Sequence, residues 1–245
     1  DTNLDHWKLT LSSLDGRFSR TLASGLSGFS NSAVATLNPG DLVNGAYLIR
    51  LTAQDMAGRQ TVVERLVEIA TATKNAAYTR SETDATVTLD GVSLAITRVY
   101  DSLRADTSGL AGYGWRFPLL EPNLSTNLLP TGTESYGLFA PYQDGTRVYF
   151  DVPDGQRLAF TFAPQPMTVG ALTVYKAAWT GPAGFTLTSD SDLLQKSGTQ
   201  YYDLVSGLAY NSSTFTLSGA VTGAGLVYRR TTSGFVLCGF VRPNG

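Results

Sequence analysis

Two-residue turn signals that end in glycine recur along this chain and set its fold class. Asn44-Gly45, Asp90-Gly91, Asp144-Gly145 and Asp154-Gly155 each precede a short run rich in β-branched and aromatic residues. Asparagine or aspartate before glycine suits a tight hairpin, because both central residues tolerate positive φ. Asp90-Gly91 is flanked by Val87 and Leu89 on one side and by Val92 and Leu94 on the other. Asp144-Gly145 separates Leu138-Phe-Ala from Arg147-Val-Tyr-Phe-Asp-Val152, and Asp154-Gly155 leads into Leu158-Ala-Phe-Thr-Phe162. Further strands are expected at Leu172–Tyr175, Phe185–Thr188, Gln200–Leu204, Thr214–Leu217, Leu226–Arg229 and Gly234–Cys238. No window of useful length keeps a 3.6-residue apolar period. The chain is therefore expected to be all-β. The stretch from Ser102 to Tyr136 holds Pro118, Pro122 and Pro130 and reads as irregular wrapping chain.

The length of 245 residues allows one large or two ordinary domains. Hydrophobic residues make up 42% and charged residues 16%, enough for a core and against disorder. A net charge of −2 supplies no basic field, so no nucleic-acid partner is expected. No apolar run is long enough to span a membrane, and no signal peptide opens the chain. Cys238 is the single cysteine, so an intrachain disulfide is excluded. It is expected as a small buried hydrophobe within Phe235-Val-Leu-Cys-Gly-Phe240. The sequence starts at Asp1 and ends on Asn244-Gly245, a turn signal, and is read as a piece of a longer protein.

Residues 1–70 read as a small β-sandwich. Trp7, Leu9 and Leu11 alternate with polar residues, and Tyr47, Ile49, Leu51 and Ala53 share one face after Asn44-Gly45. The order Asn-Gly-x-Tyr-x-x-Arg-Leu-x-Ala-x-Asp, then Ala57-Gly58, resembles the penultimate strand of immunoglobulin-like and fibronectin type III-like modules in bacterial surface proteins. A tyrosine at that place suits a tyrosine corner. The polar stretch Ala70–Asn75 is the expected boundary, with a second domain over 71–245.

The second domain opens on two facing strands that end in Arg98-Val-Tyr100-Asp101-Ser102, followed by Gly112-Tyr-Gly114-Trp115-Arg116-Phe117. This resembles the entry segment of Rhs (YD-repeat) proteins. Asp144-Gly145-Thr-Arg-Val-Tyr-Phe150 resembles that family's aspartate-glycine strand after the tryptophan turn, and the end from Thr232 resembles the approach to its first repeats. No complete tyrosine-aspartate repeat is present. The resemblance implies an N-terminal plug and the start of a β-shell in a large bacterial secreted or cell-surface protein of polymorphic-toxin type. Arg98, Tyr100, Asp101, Gly112, Gly114 and Trp115 would be its structural motif, with the Tyr100 ring packed inward and the Asp101 carboxylate capping backbone N–H groups. Gly112 and Gly114 free the backbone to turn, so the Trp115 indole is expected to be buried as an anchor between hairpins. The expected partner is then the rest of the same polypeptide, the shell and a C-terminal domain.

Residues that carry chemistry are few. His6 is the only histidine and has no triad or zinc partners in sequence. Ser24-Gly25-Leu-Ser27-Gly28 lacks the strand-to-helix context of a nucleophile elbow. Asp190-Ser-Asp192 offers two oxygen ligands to calcium but no accompanying glycine or further carboxylates. Asp101 and Asp106 flank a short loop. Asn123-Leu-Ser125 and Asn211-Ser-Ser213 match the glycosylation pattern. No catalytic, cofactor-binding or metal residue is assigned, and a non-enzymatic scaffold is expected. Two alternatives stay open. An adhesive or carbohydrate-binding module would use Tyr113, Trp115, Phe117, Tyr201 and Tyr202, and a β-type glycan-active enzyme would need two carboxylates across a cleft.

Overall fold

The computed structural model describes residues 3–72, 74, 77–190, 193–232 and 234–242. The chain is all-β: among the described residues only single 3-10 turns accompany the strands, and every strand pairing is antiparallel. It divides into two compact units, Asp1–Ala77 and Tyr78–Gly245. No helix among the described residues is long and apolar enough to cross a membrane.

The first unit is one sheet. Its strands are β1 (Leu4–Ser13), β2 (Ser19–Gly25), β3 (Gly45–Asp55) and β4 (Gln60–Ile69), in the order β2-β1-β3-β4. Trp7, Leu9 and Leu11 pair with Ala53, Leu51 and Ile49, so the alternation read from each strand lines a shared face. Leu11, Leu42, Tyr47 and Ile69 form the buried core, ringed by Phe18, Leu22, Leu37, Ile49 and Val67. Leu37 and Leu42 belong to the segment joining β2 to β3. That segment supplies the second layer, where a sandwich would have a second sheet. Its serines, glycines and Pro39 break any run long enough to pair as a strand.

The tyrosine corner is present: the Tyr47 hydroxyl donates to the Val43 carbonyl at 2.7 Å. Tyr47→Phe is expected to cost this unit about 1 kcal/mol through that bond. Urea unfolding read on this unit checks it, and an unchanged midpoint would mean water replaces the bond freely. The unit continues past Ile69. Asn44 and Thr71 exchange two hydrogen bonds, both 3.1 Å, and Lys74 Nζ donates to the Pro39 carbonyl at 2.9 Å. These bonds tie the polar stretch itself to the first unit.

The second unit begins with the hairpin β5 (Thr79–Leu89) and β6 (Val92–Asp101). Asp90 and Gly91 hold φ of 50° and 78°, the backbone that the aspartate-glycine pair implies. Very short strands follow: β7 (Ser108–Gly109), β8 (Gly112–Tyr113), β9 (Trp115–Arg116) and β10 (Ser125–Thr126). Then come β11 (Arg147–Asp151), β12 (Arg157–Phe162), β13 (Gln165–Val169), β14 (Leu172–Lys176), β15 (Trp179–Thr180), β16 (Thr186–Ser189), β17 (Leu193–Ser197) and β18 (Gln200–Asp203). The chain ends on β19 (Thr214–Val221), β20 (Ala224–Thr231) and β21 (Gly234–Val241). The sheets are β5-β6-β9, β7-β8, β10-β11-β12-β15, β13-β14-β17-β18 and β16-β19-β20-β21. All of these but β7-β8 contribute to one core, in which Val92, Leu94, Leu119, Tyr142, Phe150, Phe160, Phe215 and Tyr228 are among the buried members.

Two local expectations are corrected. Asp144-Gly145 does not close a hairpin, because Leu138–Ala140 forms no strand. The turn docks on β17–β18 instead: Lys196 Nζ and the Tyr201 hydroxyl donate to the Asp144 carboxylate at 2.6 and 2.8 Å. The Lys196 bond, then that of Tyr201, holds Asp144 below the usual carboxylate range. Cys238 is exposed, not buried. The β20–β21 register jumps between Val227↔Gly239 and Tyr228↔Leu237, so Cys238 is the extra residue of a bulge on an edge strand. Asp192, Asn75 and Asn244-Gly245, singled out in the sequence, lie outside the described residues.

Candidate functional site

The β6–β9 ladder brings the motif residues together. Tyr100 pairs with Trp115 and Val99 with Arg116. Opposite residues of an antiparallel pair share a face, so Tyr100 and Trp115 lie on one side and Val99 and Arg116 on the other. On the first side, the Tyr100 and Trp115 rings are 5.5 Å apart, and the Arg98 guanidinium sits 5.3 Å from the indole centroid. Gly114 holds φ +72°, and a Cβ there would stand 2.6 Å from Tyr100 Cε2. Only glycine lets the turn press against that ring. Gly112, at φ +107°, has open space around it and serves the backbone alone.

Trp115 is half-buried, while the next residue, Arg116, is buried. The expected buried indole is thus replaced by a buried guanidinium, for a reason that lies across the ladder. Asp101 and Asp151 occupy the inner side, and they draw Arg116 in. Trp115→Ala is accordingly expected to cost about 1–2 kcal/mol, well below a full core truncation. Thermal unfolding of the variant checks this, and a loss above about 4 kcal/mol would mark the ring as a core anchor after all.

Asp151 has no solvent exposure and receives three arginines. Arg157 Nη1 donates to Oδ1 at 2.7 Å, and Arg104 Nη2 reaches both oxygens at 3.1 and 3.0 Å. Arg116 Nε stands 3.3 Å from Oδ2. Arg116 also donates from Nη2 to the Gly155 carbonyl at 3.0 Å, and Arg157 reaches Asn123 O and Ser125 Oγ. Asp101 accepts from the Leu103 N–H at 2.9 Å and lies 3.5 Å from Arg104 Nε and 3.8 Å from Arg116 Nη1. The capping role expected of Asp101 is therefore present. Burial alone would raise the Asp151 carboxyl, but Arg104, Arg157 and Arg116 together hold it below the usual range. Burial depresses Arg116. Three cations facing two anions with little exposure to water make a firm joint, because losing the Asp151 carboxylate would strand all three guanidinium groups.

No family model, curated protein or solved structure matches this chain.

Other candidate residues are dispersed. His6 is exposed beside Asp5. Asp106 is exposed and outside the cluster. Asp190 accepts from the hydroxyls of Ser212 and Ser213, so its oxygens are engaged by serines. Among the described residues, no three His, Cys, Asp or Glu side chains group to hold a metal. Of the aromatic set, Tyr113 is exposed, but Tyr201 is a core residue that meets Phe162 and Tyr175 edge-on. Its burial takes it out of any shared exposed platform with Tyr113. The two carboxylates nearest in role, Asp101 and Asp151, are bridged by Arg104 and Arg116 rather than facing an open cleft. Sequence reasoning missed Arg104, Asp151 and Arg157. The one available signal was the aspartate closing the apolar run Val148-Tyr-Phe150.

Proposed function

We infer that this chain is a structural piece of an Rhs-type bacterial protein, secreted or displayed at the cell surface. Residues from Tyr78 onward act as the lead-in that closes or anchors a β-shell around a C-terminal effector. The observation that carries this reading is the buried arginine–aspartate joint. It fastens the motif segment (Asp101, Arg116) to the strand after the second aspartate-glycine signal (Asp151), which are the two stretches that resemble the family. A joint of that kind suits a fixed closure rather than turnover, because its ionic groups are paired with one another.

The test is to express the full reading frame that contains this sequence and image it by electron cryomicroscopy. A closed β-shell with the Asp101–Asp151 joint at one end is the expected result. A full-length protein without tyrosine-aspartate repeats or a shell would overturn the reading. So would glycan, peptide or ester turnover by this chain that a single Asp, Glu or Ser substitution abolishes.

A further inference from the structure

Residues 103–113 differ from the segments they join. Asp101 on one side and Gly114, Arg116, Pro118 and Leu119 on the other are buried, whereas no side chain from 103 to 113 is. Leu110 and Tyr113 each stand 70% exposed. Much of the segment's backbone is bonded within it or to its ends: Ala105 N donates to Ser102 O, Thr107 N to Arg104 O, Leu103 N to Asp101 Oδ1, and β7 pairs with β8, while Leu110 N reaches the exposed Glu121 carboxylate at 3.2 Å, a bond that opening exchanges for water. Its ends are pinned. Ser102 exchanges hydrogen bonds with Tyr78, and Gly114 is held by Tyr100 and by Thr107 O. Among the described residues, its one ion pair to the β11–β12 hairpin is Arg104 with Asp151.

We propose that residues 103–113 form a strap that opens as a unit about Ser102 and Gly114, with the Arg104–Asp151 ion pair as its latch. Opening gives up no buried apolar side chain. It returns the Arg104 guanidinium to water, and Asp151 keeps Arg116 and Arg157. Such an opening lies well below global unfolding in free energy. It goes beyond the scaffold reading and does not depend on it, since it concerns only how this segment is fastened.

Amide hydrogen exchange on the intact chain tests the proposal. In the wild type, the amides of Ala105, Thr107 and Leu110 are expected to share one opening. They should exchange at least about a hundredfold faster than those of β19 and β20, with a weak dependence on urea. Arg104→Met should accelerate the strap amides by about tenfold more while leaving β19 and β20 unchanged. Arg104→Lys should fall between the two. Strap amides that exchange together with β19 and β20 in the wild type would overturn the proposal, whether or not the variants fold. Equal acceleration of strap and framework in Arg104→Met would also overturn it, because Arg104 would then support the whole unit.

Discussion

Asp151→Ala is expected to lower the stability of the Tyr78–Gly245 unit by about 3–5 kcal/mol, the usual cost of leaving buried charge uncompensated. Three guanidinium groups would lose the carboxylate that holds them. Urea unfolding at neutral pH reads the effect. A loss under about 1 kcal/mol would mean water enters the joint and screens it. The pH dependence has a definite sign. The Asp151 carboxyl is depressed in the folded protein, since its arginines outweigh its burial. Its contribution is thus fully present above the unfolded value, near 3.9, and is lost as pH falls through the folded value. The gap between wild type and Asp151→Ala should stay constant from about pH 6 to 8 and close only below about pH 4.

Phe215→Ala is expected to cost about 3–5 kcal/mol through the cavity it leaves. The ring is fully buried, 5.5 Å from both Trp179 and Phe235. It belongs to the core that runs from β6 through β20. Probes anywhere in this unit should therefore lose stability together, while the Tyr47 unit, with its own core, keeps its transition. A Phe215→Ala variant that loosens only β19–β21 would show that the core is divided.

Local chemistry was legible in the sequence and long-range chemistry was not. The Asp90-Gly91 turn, the face shared by Leu11 and Ile49, and the Tyr47 corner each depend on residues a few positions apart or on a period of two. All three could be read directly. Asp144-Gly145 carried the same local signal, yet its turn was captured by Lys196 and Tyr201, more than fifty residues away. Trp115 lies half-buried, with Arg116 turned inward instead, for a similar reason. Alternation says that neighbours point opposite ways but not which one points inward, and here two distant carboxylates decided it. In sequence Asp151 is only one residue within the run Arg147-Val-Tyr-Phe-Asp-Val152. Only its meeting with residues 104, 116 and 157 makes it a hub.

The joint also restricts how such a sequence can drift. Losing Asp151 alone strands three cations, and losing Arg157 alone removes the shortest bond to a carboxylate without exposure. Single steps at positions 101, 116, 151 and 157 thus pass through poorly folded intermediates, whereas a simultaneous exchange for apolar residues of similar volume need not. In any lineage that carries this fold, those positions are expected to change as a block or stay fixed as a block. Relatives that diverge widely on the surface would then share the set intact or lack it entirely.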